Sequence, residues 1–327
     1  MSVDTRVAEQ EIGAHGGLPA PVGIRKQAMR RLRRDPVFMF AFSVFVFLVL
    51  AAIFGGPLAA HLTGHPPNSQ YANALGVNAL PIGIMQRTYL ANGVTHNPHG
   101  SLFIFGADAL GRDELVRVLY GARISLLVAG GATGLALIIG VSLGLLAGYL
   151  GGWVDGLVNR LTETAMAFPN LLLAVGIAVV IGPGILNVVV IIALFTWYYP
   201  ARIVRSATAA TKQMTFVAAA RTMGARPRRI LLVHLLPQVW GPLLVYATSI
   251  IANNILFEAG LSYLGVGVPE PTASWGSMLS DAVQSSMYLV DLPLALIPGL
   301  ALLITMLSFN LMGDGLRDAL DPKGVRR

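Results

Sequence analysis

The sequence predicts an all-α integral membrane protein with about six transmembrane helices and both termini cytoplasmic. Three observations predict the helical membrane fold. Of 327 residues, 55% are hydrophobic and 12% are charged, against about 25% charged in an average soluble domain. Mean hydropathy is +0.67, so there are too few charges to cover a soluble surface. Apolar stretches of span length recur along the chain, and the basic residues gather between alternate pairs of them.

A helix crossing about 30 Å of hydrocarbon needs about 20 mostly apolar residues. The stretches that qualify are Val37–Ala60, Ile124–Tyr149, Ala165–Gly182, Ile185–Tyr199, Leu243–Leu264 and Leu292–Met312. The fourth is short unless it extends past Pro200. The first follows a basic region, as a signal peptide would. Its apolar run is longer than a signal core of about 7–15 residues, so it reads as a retained span.

Orientation follows from Lys and Arg. Seven lie before Val37 (Arg6, Arg25, Lys26, Arg30, Arg31, Arg33, Arg34) and one, Arg160, between the second and third spans. Seven more lie between the fourth and fifth (Arg202, Arg205, Lys212, Arg221, Arg226, Arg228, Arg229), and four follow the sixth (Arg317, Lys323, Arg326, Arg327). These segments hold 19 of the 23 basic residues. The opposite side holds Arg87, Arg112 and Arg117, with Arg123 at a helix entrance. The asymmetry places both termini in the cytoplasm and accounts for the net charge of +7 without nucleic acid as a partner.

The chain divides accordingly into a cytoplasmic basic arm (1–36), a first transmembrane helix (37–60), an extracytoplasmic segment (61–118), a five-helix transmembrane core (119–322) and a tail (323–327). Residues 1–24 read as a disordered arm. Residues 25–36 read either as a short helix on the anionic inner leaflet or as a solvated flank that sets topology. The segment 61–118 is rich in Pro, Asn, Gly and His and reads as an irregular excursion. Gly130–Gly134 and Gly140–Gly144–Gly148 repeat at four-residue spacing, which lets another helix approach closely. Pro298 should kink or loosen the last span.

Several chemistries find no support. Without cysteine there is no disulfide, thiolate metal site or lipoprotein anchor. The six histidines lack HExxH-type spacing, and His96 and His99 read as surface-loop residues. No metal site is expected. Asp108, Arg112 and Asp113 have no nucleophile or histidine suitably placed for catalysis. They read as a structured turn at the outer mouth, the two acids and Arg112 satisfying each other or the backbone. No Gly-x-x-x-x-Gly-Lys-Ser/Thr phosphate cradle exists, so the chain is expected to bind no cofactor and to catalyse nothing.

Glu258 is the one charge inside an expected span, with Asn253 and Asn254 about a turn before it. An intramembrane acid is costly and suggests function. Two readings stand: Glu258 and Asn254 line a pathway, or Glu258 sits near the outer helix end, hydrated or hydrogen-bonded.

The most informative segment runs from Thr215 to Pro237. It reads as two short helices around a corner. Thr215 can cap the first, and Ala218, Ala219 and Ala220 favour helix. Gly224 suits a left-handed helix end, Pro227 suits the next first turn, and Pro237 ends that helix or marks the next span. This segment resembles the "EAA" loop of ABC importer permeases, with Ala219, Ala220, Gly224, Ile230, His234 and Pro237 matching and Ala218 where glutamate is common. The resemblance implies an ATPase-coupling loop over 212–237 that also includes Arg221 and Arg228. The arginines 221, 226, 228 and 229 face acidic groups of an ATPase or serve topology and anionic lipid.

Gly106-Ala-Asp108-Ala-Leu-Gly111-Arg112-Asp113 resembles the Gly-Thr-Asp-x-x-Gly-Arg-Asp signature of dipeptide/oligopeptide permease C-type subunits. Phe257-Glu258-Ala-Gly-Leu-Ser262, Ser274-Trp275-Gly276 and Phe309-Asn310 through Asp321-Pro322 resemble further pieces of the same family. The resemblance implies a type I permease fold in a prokaryotic cytoplasmic membrane and alternating access. It implies a homologous second permease, two cytoplasmic ATPase subunits or domains using ATP and Mg, an extracytoplasmic substrate-binding protein, and contact with membrane lipid. Dipeptides or short oligopeptides are the expected cargo, with nickel, glutathione or another small solute as alternatives. An ion-coupled secondary transporter is the competing class.

Overall fold

The computed structural model describes residues 24–320, and they are mostly helical. Helix α1 (Ile24–Leu32) leads to α2 (Pro36–Thr63), whose start is fixed by Asp35. The Asp35 carboxylate accepts from the Val37 and Phe38 amides at 2.9 and 3.2 Å, and Pro36 takes the first-turn position where no N–H is needed. Ala28 and Leu32 of α1 are buried against Phe38, Met312 and Ala319, which pins α1 to the last helix.

Helix α3 (Glu114–Leu150) has 37 residues, about 55 Å at 1.5 Å per residue, and so outruns the hydrocarbon at one end or both. Its glycines behave in two ways. A Cβ at Gly144 would lie 2.5 Å from the Ala201 carbonyl, and one at Gly148 would lie 2.6 Å from that of Arg205. The series 140–148 is therefore the seat of another helix, as the spacing predicts. Gly130 and Gly134 face open space among the described residues.

The third and fourth spans differ from expectation. In place of Ala165–Gly182 there are α4 (Gly152–Ala167) and α5 (Asn170–Ile181), meeting at 89°. Pro169 disfavours helical geometry at Phe168, which is extended at φ −101°, ψ 146°. In place of Ile185–Tyr199 there are α6 (Ile185–Leu194) and α7 (Tyr198–Thr211), bent by 41°. Pro200 cannot donate to Thr196, so the helix cannot run straight through. Because α7 continues along α3, Arg202 and Arg205 belong to this helix and not to the following link. Four helices are long and apolar enough to cross a membrane alone, and six spans result if each bent pair counts as one.

Helix α8 (Thr215–Thr222) follows, then α9 (Pro227–Tyr263), α10 (Trp275–Gln284) and α11 (Pro293–Leu320). Pro237 does not end a helix. A π-helical turn at Ile230–Leu235 carries α9 past it, and the wider turn eases the clash between the proline ring and the preceding carbonyls. Pro298 likewise lies inside an uninterrupted α11.

The segment between α2 and α3 is irregular, as expected, yet packed. A two-stranded ladder, β1 (Gln86–Arg87) with β2 (Leu102–Phe103), accompanies short 3-10 turns. Ala74, Ile82, Phe103 and Ala107 form its own core, each fully buried.

Candidate functional site

Two regions at opposite ends of α3 gather the residues singled out by sequence. At one end stands α8. Val217 and Ala220 are buried, Val217 among Leu145, Val204, Ile230 and Leu235, while Phe216, Ala218, Ala219, Arg221 and Met223 are exposed. Thr215 does not cap this helix. Met214 holds the capping position without a side-chain bond, and Thr215 is already its first helical residue. The far end is built as expected. Gly224 has φ +78°, its N–H meets the Arg221 carbonyl at 2.9 Å, and Ala225 N–H reaches back to Ala220 at 3.0 Å. Such a left-handed stop favours glycine.

Pro227 then opens α9, with Arg228 exposed, Ile230 buried, His234 half-buried in the π turn and Pro237 exposed. Arg221 and Lys212 lie 5.3 and 5.7 Å from the ring centre of Tyr149, near the end of α3. Cation–π attraction thus ties this corner to the longest helix. The result is a short helix fastened by one face, its other face apolar and unpartnered among the described residues.

At the opposite end, Asp108 organises a turn. Its Oδ1 accepts from the Leu110 and Arg112 amides, both at 2.9 Å, and its Oδ2 accepts from Arg112 Nε. Gly111 has φ +74°, and a Cβ there would meet the Tyr71 carbonyl at 2.5 Å. Arg112 also donates to Glu270 at 2.8 Å and Asp281 at 3.1 Å. Arg117, buried beside it, lies 3.5–3.8 Å from the same three carboxylates. Burial works against the Arg112 charge, but Asp108 and Glu270 outweigh it and hold the guanidinium above its usual range. Burial, then repulsion from Glu270, pushes the Asp281 carboxyl up to about 6.

Asp113 does not join Arg112. It caps α3 through the Val116 amide and meets His65 Nδ1 at 2.7 Å. His65 is buried against the rings of Tyr71 and Phe103, at 4.8 and 4.3 Å. The two acids therefore have separate partners, because the cap geometry turns Asp113 toward the segment after α2.

Glu258 is fully buried. It accepts from Ser125 at 3.0 Å and Ser262 at 2.7 Å, and Ser125 in turn accepts from the Trp275 amide at 3.3 Å. The carboxylate joins α3, α9 and the start of α10. Asn254, also buried, donates to Thr133 at 2.9 Å. Both have partners inside the chain and no exposed surface. His96 and His99 are exposed, as the loop reading expects.

Sequence reasoning did not single out Glu114, Arg117, Glu270, Asp281 or His65. One signal was present: the stretch 265–291 carries three acids and no Lys or Arg, complementary to Arg112 and Arg117.

The described residues thus form a helical membrane protein with two bent inner helix pairs and an anchored helix–glycine–helix corner. Residues 140–325 match the family described as "Binding-protein-dependent transport system inner membrane component", and residues 24–81 match the "N-terminal TM domain of oligopeptide transport permease C". The glutathione transport system permease protein GsiD of Escherichia coli O6:K15:H31 is 46% identical over 219 residues, covering 67% of this chain and 72% of that one. The di/tripeptide transport system permease protein DppC of Pseudomonas aeruginosa is 42% identical over 224 residues, 68% and 72% of the respective chains. The solved MetNI methionine ABC transporter aligns at 19% identity and TM-score 0.49, over 62% of this chain and 96% of that one.

The chain belongs to the binding-protein-dependent transport family, as a non-catalytic, multi-pass permease subunit of an ABC importer. That membership sets aside the ion-coupled secondary transporter.

Proposed function

We propose that this permease moves dipeptides or short oligopeptides across a prokaryotic cytoplasmic membrane by alternating access. The reading has both termini cytoplasmic, which puts the 212–237 corner inside and the Asp108–Asp113 turn outside. A homologous permease completes the path, two ATPase subunits or domains supply ATP hydrolysis with Mg, and an extracytoplasmic binding protein delivers cargo. The observation that carries the coupling role is the exposed apolar face of α8, held at its back by Val217 and Ala220 and stopped by Gly224. A helix fixed on one side and bare on the other can pass a push from an ATPase to α3 and α9, against which it is packed.

Glutathione is the second reading, favoured by the 46% identity to a permease of that description. Both cargoes are small peptides with free carboxylates, so they share recognition chemistry. The test is purification of the tagged chain in mild detergent from its native membrane, followed by ATP-dependent uptake of labelled dialanine and glutathione into vesicles. Stoichiometric ATPase and second permease with dialanine uptake support the proposal. A chain that purifies alone from active membranes overturns it, and uptake of glutathione without dialanine selects the second reading.

A further inference from the structure

Arg30, Arg33 and Arg34 stand where the first long helix meets the end of the last. Helix α1 is held by one face: Ala28 and Leu32 are buried among Phe38, Met312 and Ala319. At about 3.6 residues per turn Arg30 falls opposite that face, and Arg33 and Arg34 follow in the turn before Asp35. All three are exposed, and among the described residues none of them pairs with a carboxylate. Asp35 is occupied in capping α2, accepting from the Val37 and Phe38 amides. Asp318 lines a cleft with Asp35 and the half-buried Arg31.

Two helices fix the level of these arginines. On α2 exposed apolar side chains begin at once with Val37, Met39 and Phe40, the last 67% exposed, and no charged residue follows before Leu58. On α11 residues 293–313 carry no charge, and Asp314, Arg317 and Asp318 then follow, all exposed. The two helices run antiparallel side by side. Phe45 meets Phe309 with ring centres 5.2 Å apart, and a Cβ on Gly315 would lie 2.8 Å from the Phe38 ring. The lipid-facing run of α2 and the uncharged run of α11 therefore stop at one level, the edge of the hydrocarbon. Helix α1 packs across Met312 to Ala319, about 10 Å of α11 at that level. It lies in the headgroup layer, about 5–8 Å deep, and not in the water beyond.

A guanidinium meets a phosphate through two parallel hydrogen bonds, and a basic helix at headgroup level attracts anionic lipid. Met29, 54% exposed and next to the packed face of α1, and Val37 after the turn offer apolar surface to the acyl chains beside the same headgroup. A free anion would use the arginines and leave this surface bare. We propose that Arg30, Arg33 and Arg34 bind the phosphate headgroup of an anionic phospholipid, and that the bound lipid clasps α1 over the end of α11. The packed face and its level favour the leaflet helix over a solvated flank for residues 25–36. The site requires the membrane fold alone, whichever cargo the permease carries.

The test uses the assembled transporter in nanodiscs of phosphatidylcholine, with or without phosphatidylglycerol, and reads amide exchange by mass spectrometry. Phosphatidylglycerol should slow exchange across residues 28–34 several-fold and leave the middle of α3 unchanged. Arg30→Gln, Arg33→Gln and Arg34→Gln combined should abolish that slowing, and the three lysine replacements combined should keep most of it. Arg33→Gln and Arg34→Gln singly retain most of the basic flank that sets topology, so each should insert normally and lose part of the effect. Equal exchange in the two lipids, a slowing spread evenly over the chain, or a full effect in the glutamine variants overturns the site. Equal protection of α1 by inorganic phosphate in phosphatidylcholine alone would make this a simple anion site and overturn the lipid assignment.

Discussion

Arg112 donates to Asp281 at 3.1 Å across 169 positions of sequence, joining the turn before α3 to helix α10. The junction has more acid than base. Asp108, Glu270 and Asp281 face the two guanidiniums of Arg112 and Arg117, and Glu114 is buried close by. Asp281 takes up its proton at about 6, above an unfolded carboxylate near ~3.9. A raised carboxylate pKa means the charged form is disfavoured in the fold. Its cost is complete above pH 6 and is relieved as pH falls from 6 toward 4. The α10 region should therefore be more protected from amide exchange at pH 5.5 than at pH 7.5. Asp281→Asn, which keeps an acceptor for Arg112, should reduce that dependence by the part Asp281 carries, the buried Glu114 carboxyl beside it keeping the rest. Protection that falls on acidification over this range would contradict the assignment.

Gly144→Val should destabilise the chain by about 1–3 kcal/mol or prevent its folding, because its Cβ would lie 2.5 Å from the Ala201 carbonyl. Gly130→Ala, with nothing within 4 Å, should leave the thermal midpoint of the isolated subunit unchanged or slightly raised, because Ala favours a helix interior over Gly. Thermal unfolding in detergent compares the two. Equal effects would mean that α3 and α7 are not packed through the 140–148 series.

These contrasts show what the sequence makes legible. Span positions, the Gly224 stop and the Pro227 start depend on local chemistry, so composition and spacing reveal them. The bends at Phe168–Pro169 and before Pro200 are also local, but apolar runs continue across them and hide the break. The contacts of the candidate sites are not local. Asp113 finds His65 at a distance of 48 positions, and Ser125 finds Glu258 at 133. Helical periodicity says which face a residue occupies and not which helix lies opposite, so these pairs need the fold. Glu258 was recognisable as an unusual acid, whereas its serine partners were not.

The apolar face of α8 gives a sharper contrast. Met223 is 80% exposed, and Ala219 is exposed one turn before it. Ala219→Asp or Met223→Asp should leave the chain folded and membrane-inserted while sharply lowering the amount of ATPase that co-purifies. Val217→Asp, buried at 0% exposure, should instead lower the yield of folded subunit. ATPase recovery that is normal in both surface variants would remove α8 as the coupling element.

The left-handed stop at Gly224 is separable from that face. An added Cβ would meet nothing within 4 Å, so the cost of Gly224→Ala is conformational, about 1 kcal/mol. That is too little to unfold the chain but enough to loosen the angle between α8 and α9. The variant should therefore assemble with its ATPase yet take up cargo several-fold more slowly per ATP hydrolysed. Uptake and hydrolysis measured together in proteoliposomes check this. An unchanged ratio would show that the corner tolerates the added strain without loss of coupling.

Glu258 supplies the last test, because its geometry distinguishes a brace from a pathway group. Gln at this position can still accept from Ser125 or Ser262, so Glu258→Gln should preserve assembly and most uptake. Ala leaves both hydroxyls and a cavity among α3, α9 and α10, at about 2–4 kcal/mol. Glu258→Ala should accordingly lower thermal stability and speed amide exchange at Trp275, whose N–H rests on Ser125. If Glu258→Gln instead stops uptake while stability and the Trp275 amide are unchanged, the charge itself acts in transport and the pathway reading of Glu258 replaces the brace.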